Sequence, residues 1–219
     1  MKKTILKLSM FVLVAGTLVW TGCKSDDKTA PVITLKGNAT ETIVLGGTYT
    51  DASATANDDK DGDISSKITV TVTPSAFNNG SANSYMYHYN VSDAAGNAAT
   101  EVMRTVNVII NPTVLAGSYN QTDVTTGTLT GTSTITTSSQ TGRIVIGNFA
   151  LSTSAVYADL TGTLGTTLVV PSQTFGSGPS ETYYGTGTVN SAGNIITINY
   201  TDSLSTGAVQ HGVGTYQKL

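Results

Sequence analysis

Tyr85-Met86-Tyr87-His88-Tyr89-Asn90-Val91 places three tyrosines and a valine at every second position, with Met86, His88 and Asn90 between them. Successive side chains of a β-strand point to opposite faces, so this period-2 pattern makes one face apolar and the other polar. A half-buried strand has that pattern and a helix of period 3.6 does not. The chain turns at Asp93-Ala94-Ala95-Gly96-Asn97 and returns over Thr100 to Ile110, where Val102, Arg104, Val106 and Val108 alternate. Upstream, Lys67 to Thr73 predicts a further strand with Ile68, Val70 and Val72 toward the core. Pro31 to Leu35 and Thr42 to Leu45 give two more, the second ended by Gly46-Gly47. So many short strands in about 80 residues predict a two-sheet sandwich, here over residues 29–111.

Asn111-Pro112 ends this unit and marks a short linker. Residues 113–219 then divide into eight strand-like segments: Gly117–Val124, Thr128–Thr137, Arg143–Leu151, Ala155–Thr161, Thr166–Pro171, Tyr183–Asn190, Ile195–Thr201 and Val209–Gln217. Glycine-bearing turns such as Gln140-Thr141-Gly142 and Ala192-Gly193-Asn194 separate them at close intervals. Successive hairpins make a meander, and eight strands are enough to close a small barrel. Gly185, Gly187, Gly212 and Gly214 fall on strands, where they predict curvature more than the approach of a ligand to the backbone. The fold expected is all-β, a sandwich followed by an eight-stranded meander.

Within the first unit, four stretches occur in order: Ala30-Pro31-Val32-Ile33-Thr34-Leu35, Val44-Leu45-Gly46-Gly47-Thr48-Tyr49-Thr50-Asp51, Asp61-Gly62-Asp63, and Tyr89-Asn90-Val91-Ser92-Asp93-Ala94-Ala95-Gly96-Asn97. Together they resemble the bacterial immunoglobulin-like (Ig-like) domains related to hyalin repeats and to the Ig-like module of pesticidal crystal proteins. The resemblance implies a spacer or adhesion module and no catalysis. In the second unit, Gly117-Ser118-Tyr119 and Gly212-Val213-Gly214-Thr215-Tyr216-Gln217-Lys218 resemble the ends of lipocalin-like β-domains at the C-termini of bacterial surface lipoproteins. Tyr119 stands where a calycin carries tryptophan, and the resemblance brings no ligand with it.

Ahead of both units, Lys2, Lys3 and Lys7 precede an apolar run from Leu8 to Trp20, and Thr21-Gly22-Cys23 follows. A basic stretch, a short apolar stretch and a small-residue site constitute an export signal over residues 1–22, since the run falls short of the roughly 20 apolar residues of a spanning helix. Gly22-Cys23 resembles the lipoprotein processing site, which implies that the Cys23 thiol carries a diacylglycerol before the signal is cut off and that palmitate is among the acyl chains. Cys23 is the chain's one cysteine, so no intramolecular disulfide can form. Buried methylenes contribute about 0.8 kcal/mol each and stable anchoring takes more than one chain, so the expected state is membrane-held. Residues 23–28 form the tether. Lys24-Ser25-Asp26-Asp27-Lys28 resembles the acidic signal that directs lipoproteins of one group of Gram-negative bacteria to the outer face of the outer membrane. A periplasm-facing anchor with a merely solvated tether is the alternative.

With the three leader lysines gone, eight basic residues face 14 acidic ones, a net charge of about −6. Nucleic acid is therefore not an expected partner, because phosphate binding needs clustered Lys and Arg. The acidic run Asn57 to Asp63 puts Asp59, Asp61 and Asp63 around Gly62, a weak calcium candidate. It lacks the glutamate that closes an EF-hand loop, and Asp and Gly also make ordinary tight turns. No other cofactor is expected. His88 and His211 have no ligand partner at metal-binding spacing, and no nucleophile elbow or phosphate loop occurs. Asp123, Asp159, Glu181 and Asp202 are the acids that could serve a hydrolase, should the fold gather them. One of the adjacent Tyr183 and Tyr184 must point outward, as a sugar-stacking residue would. The leading expectation is a non-catalytic envelope lipoprotein whose Ig-like module displays a barrel. A glycan- or small-ligand-binding protein comes second and an unrecognised hydrolase third. The partners expected are the membrane, through the lipid, and a glycan or surface protein.

Overall fold

A computed structural model of the chain describes residues 26–176 and 180–219; the expected export signal, the expected lipid-attachment residue Cys23, and Ser177 to Pro179 lie outside the described residues. The first unit is a sandwich. Strands β1 (Val32–Leu35), β3 (Ala54–Asp58) and β4 (Gly62–Asp63) form one antiparallel sheet in the order β1-β3-β4. Strands β2 (Thr40–Val44), β5 (Thr69–Thr73), β6 (Asn83–Asn90) and β7 (Val102–Ile109) form the other, in the order β2-β7-β6-β5, with β2 parallel to β7. Tyr85, Tyr87 and Tyr89 face inward on β6 while Met86 is exposed, as the alternation requires. Across the core, the small inward residues Ala54 and Ala56 of β3 leave room for these rings. Strand β5 departs from expectation: Ile68 and Val72 are half-buried, but Val70 is 43% exposed because β5 is an edge strand paired on one side only.

Arg104 lies on the core face of β7, 1% exposed, where the sequence alternation places it. A buried guanidinium has to satisfy its five N–H donors. It donates to the Asp51 carboxylate and the Lys36 carbonyl, to the Asn38 carbonyl at 2.9 Å, the Ser53 carbonyl at 3.3 Å and the Tyr89 hydroxyl at 3.1 Å. One side chain thereby ties the β1–β2 connection and the lead-in to β3 onto the opposite sheet.

The second unit is a closed barrel in which β8 (Gly117–Val124), β9 (Thr128–Thr137), β10 (Arg143–Ile146), β11 (Val156–Thr161), β12 (Thr167–Phe175), β13 (Glu181–Val189), β14 (Ile195–Leu204) and β15 (Val209–Lys218) each pair antiparallel with the next. Strand β15 closes on β8. Threonines face outward while Tyr119, Ile135, Ile144, Leu168, Ile196, Ile198 and Tyr216 fill the interior, a barrel arranged for water outside and an apolar core within. Strand β12 bulges between Val170 and Gln173, where Pro171 cannot donate to the ladder. The Gln173 carboxamide takes over there, accepting from the Tyr157 amide at 2.7 Å and donating to its carbonyl at 2.9 Å.

The segment between the units is a helical turn, α1 (Pro112–Leu115), capped by the Asn111 side chain and carrying the fully buried Leu115 into the barrel core. Direct hydrogen bonds join the sandwich to the barrel loops, from Ala82 N–H to the Ser191 carbonyl at 2.7 Å and from Ile110 N–H to the Leu164 carbonyl at 2.8 Å. Gly193 fits against Leu45, Val114 and Ile110, where a Cβ would come within 3.0 Å of two of those side chains.

Candidate functional site

The barrel interior is where a small ligand would sit, and the chain's own side chains occupy it. Arg143 to Leu151 reads from sequence as one strand, but β10 ends at Ile146 and the following turn folds inward. Asn148, Ala150 and Leu151 all adopt left-handed backbone conformations, each costly for a residue with a Cβ, and the outcome is a buried Phe149. Its ring meets those of Tyr183 at 5.4 Å and Tyr200 at 5.1 Å edge-on, and stacks with Tyr216 at 6.5 Å. Gln121 holds the turn from the barrel wall. With its amide oxygen toward the turn it accepts from the Ala150 and Leu151 N–H groups at 3.2 and 3.1 Å, and its nitrogen donates to the Asn148 carbonyl at 3.0 Å.

The strand glycines belong to the same packing. A Cβ on Gly212 would fall 2.3 Å from the Tyr200 ring, and one on Gly185 would fall 2.2 Å from the Asn199 carbonyl oxygen. They let rings and neighbouring strands close in, and no ligand is needed to account for them.

Polar groups inside the barrel serve one another. The Tyr200 hydroxyl donates to Asp123 at 2.7 Å, and the other Asp123 oxygen has no hydrogen-bond partner. Burial pushes the Asp123 carboxyl up, partly offset by the Tyr200 hydroxyl. Burial also pushes Tyr119 and Tyr183 up to about 12, so both stay neutral donors at physiological pH. The remaining acids are not gathered with Asp123 into one grouping. Asp159 accepts two hydrogen bonds from Arg143 at 2.5 and 2.8 Å. Glu181 accepts from Tyr183, and Asp202 lies opposite Tyr183 on the next strand, its carboxyl raised by burial and by the charge of Glu181. Tyr183 points inward and Tyr184, 45% exposed, outward. His88 lies between Glu101 and Thr73, and His211 bonds Thr201.

In the sandwich, the acids that the sequence suggests as cation ligands do not converge. Asp59 is exposed, Asp61 accepts from the Ala94 N–H at 2.6 Å, and Asp63 accepts from the Ser65 N–H at 2.9 Å and the Ser65 hydroxyl at 2.5 Å. Inward positions of β3 are Ala54, Ala56 and Asp58, so its period buries Asp58, one place before the expected set. Asp58 meets Asp93 from the turn after β6 and Asp27 from the segment ahead of β1, with one carboxylate oxygen of each within 4.8 Å of the others. Asp93 is pushed up by burial, but more strongly held below the usual carboxylate range by hydrogen bonds from the Asn97 side chain and from the backbone of Asn97, Gly96 and Ala95. Asn97 Nδ2 donates to Asp93 at 2.7 Å and to the Asp27 carbonyl at 3.0 Å, joining the lead-in segment to the turn. Sequence spacing gave no sign of this grouping, because its members come from three distant segments.

Residues 33–108, which make up most of the sandwich, match the family model of the bacterial surface protein Ig-like domain. Over 85% of its length the chain is similar to a lipoprotein from Bacteroides thetaiotaomicron, covering 100% of that structure at 14% identity with a TM-score of 0.35. It is also similar to a protein from Bacteroides fragilis described as a candidate outer membrane protein, over 87% of this chain and 95% of the other, at 11% identity and a TM-score of 0.31. No curated protein matches the chain.

Proposed function

We propose that the chain is a lipid-anchored protein of the bacterial envelope, in which the Ig-like sandwich holds the barrel away from the membrane and neither unit performs catalysis. The observation that carries this is the occupied barrel interior: Phe149 and the tyrosines around it take the space a ligand would need, which leaves the outer surface for contact with a glycan or another surface protein. The export signal and Cys23 support the anchor, and the bacterial surface Ig-like domain supports an exposed location. Hydrogen bonds at the junction support a strut that transmits position, because Ala82 and Ile110 bond directly to barrel loops. Lipid at Cys23 and the acidic tether Lys24 to Lys28 would set the protein on the outer face of the outer membrane.

The test is metabolic labelling of cells with an alkyne fatty acid, combined with protease treatment of intact cells. Labelled wild type, loss of label and release from the membrane in Cys23→Ala, and digestion from outside are the expected results. An unlabelled wild-type chain would remove the anchor, and protection from protease in intact but not permeabilised cells would place the protein facing the periplasm.

A further inference from the structure

We infer that Asp27, Asp58 and Asp93 form a calcium site that fastens the N-terminal lead-in segment to the Ig-like domain. Asp58 supplies the first indication. It is 3% exposed, and one of its oxygens accepts from the Lys60 and Asp61 N–H groups at 2.9 Å each, while the other has no hydrogen-bond partner. A buried carboxylate oxygen left unpaired is costly, and an ion is one of the few partners that resolves it. That oxygen belongs to a side chain already gathered with two more carboxylates.

Geometry and charge agree on the kind of ion. Ligand oxygens no more than 4.8 Å apart fit on one calcium ion, whose bonds to oxygen run about 2.3–2.6 Å. Three carboxylates held this close repel one another unless a cation lies between them. The Lys60 ammonium, 3.8 Å from Asp27, offsets one negative charge, and a divalent ion balances the remaining two. The donor set is oxygen alone, without histidine or thiolate, which selects a hard cation over zinc or copper. A groove of about 530 Å³ beside the cluster, lined in part by Asp26, Asp27, Lys60 and Asp61, admits the water that completes a coordination number of six to eight.

The ligands come from the lead-in segment, the end of β3 and the turn after β6, so an ion bound there holds the start of the domain against its body. The site does not depend on the anchor: it concerns the fold whether or not Cys23 is acylated.

The experiment is calcium titration calorimetry and thermal unfolding of the full chain in detergent, with trypsin cleavage after the exposed Lys28 as a local probe. One calcium per chain is expected to bind, with a dissociation constant on the order of 10⁻⁴–10⁻³ M as in extracellular modules, and cleavage at Lys28 should slow several-fold. Asp58→Asn and Asp27→Asn should each weaken binding by about tenfold or more, since calcium affinity is tuned over several decades by the number of charged ligands. Asp27→Asn should leave the calcium-free melting temperature unchanged, so it remains decisive even if Asp58→Asn misfolds. Asp59→Asn should bind as wild type does. Absence of binding heat up to about 10 mM calcium, well past that affinity range, would overturn the site. So would wild-type affinity in Asp27→Asn, or loss of binding in Asp59→Asn.

Discussion

Replacing Arg104 by methionine keeps the unbranched apolar stem of the side chain and removes the guanidinium, with its charge and all of its donors. In the native domain those donors serve Asp51, Tyr89 and the carbonyls of Lys36, Asn38 and Ser53, all from a group 1% exposed. Single hydrogen bonds to charged groups contribute about 1.5–3 kcal/mol, but a plain sum over this network would overcount, because the accepting groups can relax together. Breaking a buried ion pair by removing one partner costs about 3–5 kcal/mol, and part of Asp51 can still reach water, which sets the expected loss near the lower end. At a urea dependence of about 1–3 kcal/mol per molar, a loss of about 3 kcal/mol lowers the midpoint of sandwich unfolding by at least about 1 M. Circular dichroism of urea-titrated full-length protein, with hydrogen exchange resolving the two units, measures it. Arg104→Lys should lose nearly as much, since an ammonium cannot reproduce the planar fork. A loss under about 1 kcal/mol in Arg104→Met, the size of one ordinary hydrogen bond, would refute the assignment of Arg104 as the tie between the sheets.

Phe149→Ala should destabilise the barrel by about 3–5 kcal/mol, the usual cost of emptying a buried ring site, while Ala150→Gly should raise its stability by about 0.5–1 kcal/mol by relieving the left-handed backbone; thermal melts of both variants check this. Gly212→Ala should cost about 1–3 kcal/mol because the new methyl meets the Tyr200 ring, and a neutral result in the same melts would contradict that close packing. Acid should act on the two units differently above the unfolded carboxylate values and alike below them, where Asp159 of the barrel, held low by Arg143, also loses its contribution. Asp123 and Asp202 have raised pKa values, so their contribution is fully present below the unfolded value of about 3.9 and is lost as pH rises through the folded values. Asp63, Asp93 and Glu101 are held low, so their contribution is present above the unfolded values of about 3.9–4.3 and disappears as pH falls through the folded ones. Hydrogen exchange in urea, corrected for intrinsic rates, should show the barrel gaining protection as pH falls toward about 4, and both units losing it below that. Asp123→Asn should remove most of the barrel's gain.

Alternation of large apolar residues was legible in the chain and located β6 and β7, because a strand with one wet and one dry face writes its period into the side chains, while glycine-bearing turns marked off the eight barrel segments. Strand β3 escaped that test. Its inward residues are Ala54, Ala56 and Asp58, small or charged, and they face inward because the tyrosines of β6 fill the space opposite. The same blind spot hid Asp58 and directed attention to Asp59, Asp61 and Asp63, of which Asp61 bonds the Ala94 amide and Asp63 the Ser65 amide. Phe149 and Leu151 extended the apolar pattern of β10 in sequence, whereas the barrel drew Phe149 inward through a left-handed turn that local preference would not choose.

The chain alone determined that the molecule is built from strands, and it set the expectation of two units and of an export signal ahead of its one cysteine, since these depend on local period, punctuation and composition. Tertiary structure decided that the barrel is filled, that Arg104 ties the sheets, and that Asp27, Asp58 and Asp93 share a site. Each of these brings together groups far apart along the backbone, and what happens there depends on distances and burial that only the folded chain defines.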